Sequence, residues 1–333
     1  MRYGLPYKGS KNKIAEWVVA NLPVAEVFCD LFCGGGAITH AAMMSGKYES
    51  FILNDVDGRM PKLFVECSCG KHSLEAHPEW ISRDEFHRLK NTDAFVAVVW
   101  SFGNNGVDYL YGADIEQFKH AYHDAVFQDE PELLAPYGYV IKTTHKQDLY
   151  ERYLEFRQQI RAQRVSNQIT SEVERLQTIE CLEGIERLEG VERLQRLHSM
   201  AGAERPSGLR ADIERIQSFS GEDYRRVKAP KGTLMYCDIP YKGTNCGKYN
   251  GFNHDDFYEW AEAQDNIYIS EYWMPDSFVP IASRNKVVLS GADGNSRHAQ
   301  EKIFVNQQTF ERLNDEQKNV FQSNTATQMT LDL

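Results

Sequence analysis

Ala25-Glu26-Val27-Phe28-Cys29-Asp30-Leu31-Phe32-Cys33-Gly34-Gly35-Gly36-Ala37-Ile38 is the stretch that sets the fold class. Ala25 to Phe32 is an apolar run of strand length. It feeds a glycine loop, and a small-residue helix follows through Ala41, Ala42 and Met43. Strand, glycine loop and helix in that order open a nucleotide-binding βαβ unit. Glycine tolerates positive φ and lets backbone come close to a ligand. About twenty residues on, Phe51-Ile52-Leu53 predicts a second strand ending in Asn54-Asp55, where an acid commonly takes ribose hydroxyls.

The loop is not Gly-x-Gly-x-x-Gly, and Asp30 stands directly before it. A carboxylate there repels a pyrophosphate but suits an ammonium. S-adenosyl-L-methionine, which carries an ammonium and a sulfonium, is therefore favoured over NAD.

Working outward, Gly232-Thr233-Leu234-Met235 predicts a third core strand running into Tyr236-Cys237-Asp238-Ile239-Pro240-Tyr241. Asp238 then sits at the strand's carboxyl end, the edge where open α/β sheets bind ligands. The acid and the carbonyl ahead of Pro240 can accept two amine hydrogens, and Tyr241 can stack on a flat ring. Before all this, Tyr7-Lys8-Gly9-Ser10-Lys11 forms a small basic turn, with Ser10 predicted to cap a helix carrying Ile14, Trp17, Val18 and Leu22.

Elsewhere, Asp84 to Leu89, Ile115 to Phe127 and Lys146 to Arg164 read as helices, and Ala94 to Trp100 as a strand by its β-branched content. Asn253 is predicted to cap a helix around Phe257. Asn266 to Ser270 reads as a strand, and Lys286 to Leu289 with Lys302 to Val305 as a late antiparallel pair. Cys67-Ser68-Cys69 with His72 and His77 is spaced more tightly than zinc sites prefer, so no metal is expected. From Leu176 to Leu197 apolar residues recur every third position. In an α-helix that stripe drifts by ~60° per step, which leaves a long helix and a 3₁₀-rich or solenoid-like packing both open.

Composition sets few limits. The chain has 333 residues, 42% hydrophobic and 26% charged, as in ordinary globular proteins, and no apolar run of membrane-spanning length. No secretory signal is read at the amino terminus, and seven cysteines are expected to be free thiols in a cytoplasmic protein. The net charge of −11 does not favour nucleic acid, yet arginines gather between Arg152 and Arg226.

With these pieces in order, the chain resembles the Dam-type DNA adenine-N6 methyltransferases, the phage branch included. The resemblance rests on Tyr7 to Lys11, Asp30 to Gly36, Asn54-Asp55, Trp100 to Gly106 and Asp238-Ile239-Pro240-Tyr241. It implies an α/β fold, a Rossmann-like class I methyltransferase sheet of seven strands with one antiparallel. A catalytic domain from 1–114 and 220–320, a target-recognition insert at 115–219 and a tail at 321–333 are expected. It implies Tyr7, Lys11, Asp30, Phe32, Gly34, Gly36, Asp55, Asp223 and Tyr224 as S-adenosyl-L-methionine contacts.

It further implies Asp238, Ile239, Pro240 and Tyr241 as the receptor of a flipped adenine. The partner is double-stranded DNA, with Arg157, Arg161 and Arg164 as DNA contacts, no membrane, and a monomeric protein. The family usually has proline where this chain has Ile239, which keeps a weakened homologue open as an alternative. Methylation of another exocyclic amine, such as cytosine N4, also stays open.

Overall fold

Residues 3–167, 212–242, 251–289 and 296–313 are described in the computed structural model, without the side chains of 164–167 and 286–299. The repeat at 176–197, the tail at 321–333 and the Arg164 side chain lie outside the described residues. By its internal contacts the chain forms two units. One comprises 1–4, 10–64 and 212–333; the other comprises 5–9 and 65–211.

The first unit is built on a seven-stranded sheet. β1 (Ala25–Asp30), β2 (Tyr48–Asn54), β3 (Ile216–Ser220), β4 (Leu234–Asp238), β5 (Ile267–Glu271), β6 (Phe278–Leu289) and β7 (Ser296–Asn306) stand in the order β3-β2-β1-β4-β5-β7-β6. The first five run parallel, and β7 pairs antiparallel with both β5 and β6. This is the Rossmann-like methyltransferase sheet expected above, with its single reversed strand. The central strands are covered on their faces, as their apolar runs require. Cys29, Leu31, Cys237 and Ile269 pack with Phe257 and Phe304 in one core.

Strand order reverses between β1 and β4, so their carboxyl ends flank a switch point, where α/β sheets bind ligands. The register sets Asp30 beside Tyr236, which carries Asp238 two residues further along the same edge. α1 (Ala15–Ala20) and α2 (Ala37–Ser45) follow the basic turn and the glycine loop. Asn54 clamps this edge. Its amide donates to Leu31 O at 3.1 Å and Glu222 O at 3.0 Å, and its oxygen accepts from Ser220 Oγ at 2.7 Å.

Two local expectations are corrected. Ser10 does not cap α1: its hydroxyl accepts from the Asn12 N–H at 3.4 Å, and the helix begins at Ala15 with Ile14 uncapped by any side chain. Ala94 to Val99 is not a strand but a helix, and five of its six residues are buried. Asp93 decides it by accepting from the Val96 N–H at 3.1 Å, the bond of a helix N-cap. A helix apolar on every side has no amphipathic period, so its β-branched content misleads.

The second unit carries α3 (Arg59–Ser68) from Val65 on, α4 (Arg83–Leu89), α5 (Ala94–Val99), α6 (Glu116–Gln128) and α7 (Leu149–Asn167). α4 begins in a capping box, Ser82 with Glu85. The segment 102–106 meets the amino-terminal turn, where Lys8 N–H donates to Asn104 O at 3.3 Å. Back in the first unit, α8 (His254–Glu262) starts at Asn253, whose side chain accepts from Asp255 N and Asp256 N as expected. α9 (Gln307–Arg312) closes the described chain.

Candidate active site

The glycine loop leaves β1 and turns into α2 at Gly36, with φ at +68°. A Cβ there would stand 2.5 Å from the Phe64 ring, so position 36 excludes a side chain on both backbone and steric grounds. The loop is tied to β2 by Asp55, whose Oδ2 accepts from the Gly34 N–H at 2.9 Å. Oδ1 of Asp55 accepts from Asp57 N, also at 2.9 Å. The pairing of glycine loop and acid follows from the parallel register of β1 with β2.

Asp30 ends β1 at 1% exposure. Oδ2 accepts from the Thr39 hydroxyl at 2.7 Å, while Oδ1 is buried and accepts no well-formed hydrogen bond among the described residues. Burial pushes the carboxyl up to about 7, against the Thr39 bond, and the charges of Asp238 and Asp55 raise it further. A buried acid with one oxygen to spare fits the ammonium of an amino-acid ligand. On this geometry and the loop at Gly36, the residues present fit S-adenosyl-L-methionine.

Phe32 leaves the strand into an aromatic wall. Its ring lies 5.4 Å from Tyr224 and 5.8 Å from both Phe252 and Phe257, and Tyr224 lies 4.8 Å from Trp260. Asp223 caps the turn before Tyr224 and bonds Arg225 at 2.6 Å, which holds its carboxyl down at about 2. Asp223 is therefore engaged with its neighbour, while Tyr224 joins Phe32.

The second carboxyl-end acid has a different environment. Asp238 Oδ1 lies 2.7 Å from the Lys11 ammonium, which is only 5% exposed. Lys11 also donates to the Tyr241 oxygen, lies 4.2 Å from the centre of that ring and 3.5 Å from Glu301 Oε1. The Tyr241 hydroxyl in turn donates to Glu301 Oε1. Burial would lower the Lys11 ammonium, but Asp238 and then Glu301 more than reverse this and keep it raised. Burial pushes the Tyr241 phenol well up, so it remains a donor. Its ring meets Tyr272 edge-on at 4.4 Å.

The loop after β4 is pinned from the next helix. His254 Nε2 lies 2.7 Å from Pro240 O, and since a carbonyl only accepts, Nε2 carries the proton. Ile239 is buried in the core, so its side chain packs while its backbone stays in the turn. Glu271, ending β5, accepts from Tyr272 N at 2.7 Å and Lys242 N at 3.3 Å, and burial raises its carboxyl to about 7.

The first unit thus brings together Lys11, Asp30, Phe32, Gly34, Gly36, Asp55, Tyr224 and the Asp238–Tyr241 turn. Tyr7 belongs by its contacts to the second unit, with Arg157 and Arg161 on α7. Arg161 is exposed, whereas Arg157 is half-buried, with its charge felt by Tyr122. Lys11, expected among the cofactor contacts, has its ammonium on Asp238. Glu301, Glu271, His254 and Asn54 take part without having been picked from the sequence.

Among the described residues no group of three or more His, Cys, Asp or Glu side chains could hold a metal. His72 and His77 instead stack with Phe95. Cys29, Cys33, Cys67, Cys69 and Cys237 are free thiols, and no described helix is long and apolar enough to cross a membrane.

No curated protein matches the chain. Residues 7–92, which hold the basic turn, Asp30, the glycine loop and Asp55, match the family model described as D12 class N6 adenine-specific DNA methyltransferase. Over those residues, and on this sheet, the chain is similar to the S-adenosyl-L-methionine-dependent DNA methyltransferases of the N6-adenine class.

Proposed function

We propose that the protein is a site-specific methyltransferase that acts on an adenine turned out of the duplex and seated on Asp238, the Ile239 carbonyl and the Tyr241 ring. The observation that carries this is the position of Asp238 and Tyr241 at the carboxyl edge of β4, next to the Asp30 edge of β1. A base inside a duplex cannot reach such a recessed acid, so extrusion is required.

Asp30 holds the ligand's ammonium with its spare oxygen, Asp55 takes the ribose hydroxyls, and Gly34 and Gly36 shape the loop beneath. Phe32 and Tyr224, with Asp223 beside them, border the adenine of the cofactor. When bound, S-adenosyl-L-methionine supplies an electrophilic methyl group on its sulfonium. Asp238 and the Ile239 carbonyl accept the two N6 hydrogens of the target. That pairing draws the nitrogen's lone pair out of the ring and makes it a better nucleophile. Tyr241 fixes the ring plane, and Pro240, held through His254, keeps the carbonyl in position. Positioning and electrostatics carry the rate.

Catalysis is assigned to 1–114 and 220–320 and target recognition to 115–219, with Tyr7, Arg157, Arg161 and Arg164 as further ligand or DNA contacts. Incubation with labelled S-adenosyl-L-methionine and unmethylated duplex tests the reading. Label recovered as N6-methyladenine is the expected product. Cofactor binding with no label in DNA would mark a weakened homologue, and label on cytosine N4 would reassign the amine.

A further inference from the structure

β7 is the one strand of the sheet that runs backwards, and it brings an acid to the active edge. Along β7 the side chains of Glu301, Ile303 and Val305 alternate onto one face, and all three are fully buried. An apolar residue at 301 would simply extend that buried row. A carboxylate there is costly to desolvate unless partners offset it. Its partners are functional: Oε1 accepts the Tyr241 hydroxyl and lies 3.5 Å from the Lys11 ammonium.

We infer that Glu301 is a positioning residue of the methyl-transfer site, holding the Tyr241 ring and sharing the Lys11 ammonium with Asp238. The inference rests on reading Asp238 and Tyr241 as the receptor of the target amine. Glu301 fixes the ring through its hydroxyl, at the end far from the backbone, where the edge-on contact with Tyr272 sets no hydrogen bond. Sharing the ammonium leaves more of the negative charge on Asp238 to act on an incoming amine. The ordering is in place before the base arrives, so it favours the transfer step over initial binding.

The titratable groups facing Lys11 are Asp238 from β4, Tyr241 from the loop after it, Glu271 and Tyr272 from the end of β5, and Glu301 from β7. Of these, Asp238 and then Glu301 do most to keep the ammonium charged.

The test uses the full chain with Glu301→Ala and Glu301→Gln. kcat and KM are measured on unmethylated duplex between pH 6 and 11, with cofactor affinity measured separately by calorimetry. Glu301→Ala is expected to lower kcat roughly 10- to 100-fold, the scale for removing an outer partner of a functional group, with cofactor affinity within about twofold. Glu301→Gln still accepts the Tyr241 hydroxyl, so it recovers part of kcat. It removes a counter-charge from Lys11, so the alkaline limb of activity moves to lower pH. A purely structural glutamate would not move that limb.

In the double variant Tyr241→Phe with Glu301→Ala, the losses combine less than additively, because both break the same bond. Wild-type kcat with an unmoved limb in both Glu301 variants overturns the inference, as does a loss of cofactor binding matching the loss of kcat. If Asp238→Ala kills transfer while the Glu301 variants are unaffected, only this inference fails. If Asp238→Ala retains transfer, the receptor reading itself fails.

Discussion

Asp30 and Asp238 end neighbouring parallel strands, at the same edge of one sheet, yet they are held in opposite electrostatic states. Asp30 is deeply buried, accepts a full hydrogen bond from Thr39 on one oxygen, has no cation beside it among the described residues, and its carboxyl is raised to about 7. Asp238 has a buried lysine at 2.7 Å and a second acid behind that lysine. An acid lacking a counter-charge is tuned to attract a cation. An acid already paired with one attracts a second cation weakly and serves a neutral hydrogen-bond donor. On the proposed function, the ligand's ammonium goes to the first and the base amine goes to the second.

The largest expected effect tests the second half of that comparison. Asp238→Ala should reduce methyl transfer about 10²- to 10³-fold or more, the scale for removing one preorganised group at a reacting centre. Cofactor affinity measured by calorimetry should stay within a few-fold, because Asp30 and the glycine loop are untouched. Equal losses in both would mean that the two acids do not divide the work in this way.

Asp30→Asn tests the first half. The neutral isostere keeps the shape but gives up a charge-assisted bond, so cofactor affinity should weaken roughly 10- to 100-fold. Stability should respond in the other direction. A native carboxyl raised above its ordinary value holds its proton where the unfolded chain has released it. Its favourable contribution is complete below that ordinary value and is lost as pH rises through about 7. The asparagine variant has no such loss, so at pH 8 without cofactor it should melt at or above the wild-type temperature. A lower melting temperature would show that the Asp30 charge is already compensated in the free protein.

A smaller effect follows from the same titration. Binding an ammonium needs the Asp30 carboxylate, so wild-type cofactor affinity should tighten from pH 6 upward through about 7. It should level off, and then weaken as the ligand's own amine loses its proton near ~8. In Asp30→Asn the rise below pH 7 should be flat. A rise that persists in the variant would assign the titration to another group, with Glu271, also near 7, the first to examine.

The two acids were unequally legible in the sequence. Asp30, Gly34, Gly36 and Asp55 lie within one strand-loop-helix-strand segment, where local periodicity and glycine chemistry suffice. The receptor at Asp238 was legible as a strand end, but its electrostatics were not. Lys11 reaches Tyr241 across 230 residues of sequence, and Glu301 reaches it across 60. The late antiparallel pair was legible, but the insertion of β7 between β5 and β6, which brings Glu301 to this edge, has no local signature. Asn54 was noted as a strand end and in the Asn54-Asp55 pair, but its clamping role was not legible, because its partner Glu222 is 168 residues away. The misreading of Ala94 to Val99 has a different origin: the deciding bond comes from Asp93, one residue outside the apolar run.

The smallest expected effect extends the comparison of charges to the second unit, where Arg157 and Arg161 were read as equivalent DNA contacts. Arg161 is exposed on α7, while Arg157 is half-buried, with a buried Nε near the fully buried Tyr122. An exposed arginine on a phosphate contributes about one released counterion, and a packed one contributes mostly through its stem. Arg161→Gln should therefore lower the slope of log affinity against log salt by about 0.9 and leave the melting temperature near wild type. Arg157→Gln should lower the melting temperature while leaving the salt slope nearly unchanged. Equal slopes for both variants and wild type would place the DNA track away from α7. A reduced slope for Arg157→Gln alone would mean that the half-buried guanidinium is the one that reaches the phosphate.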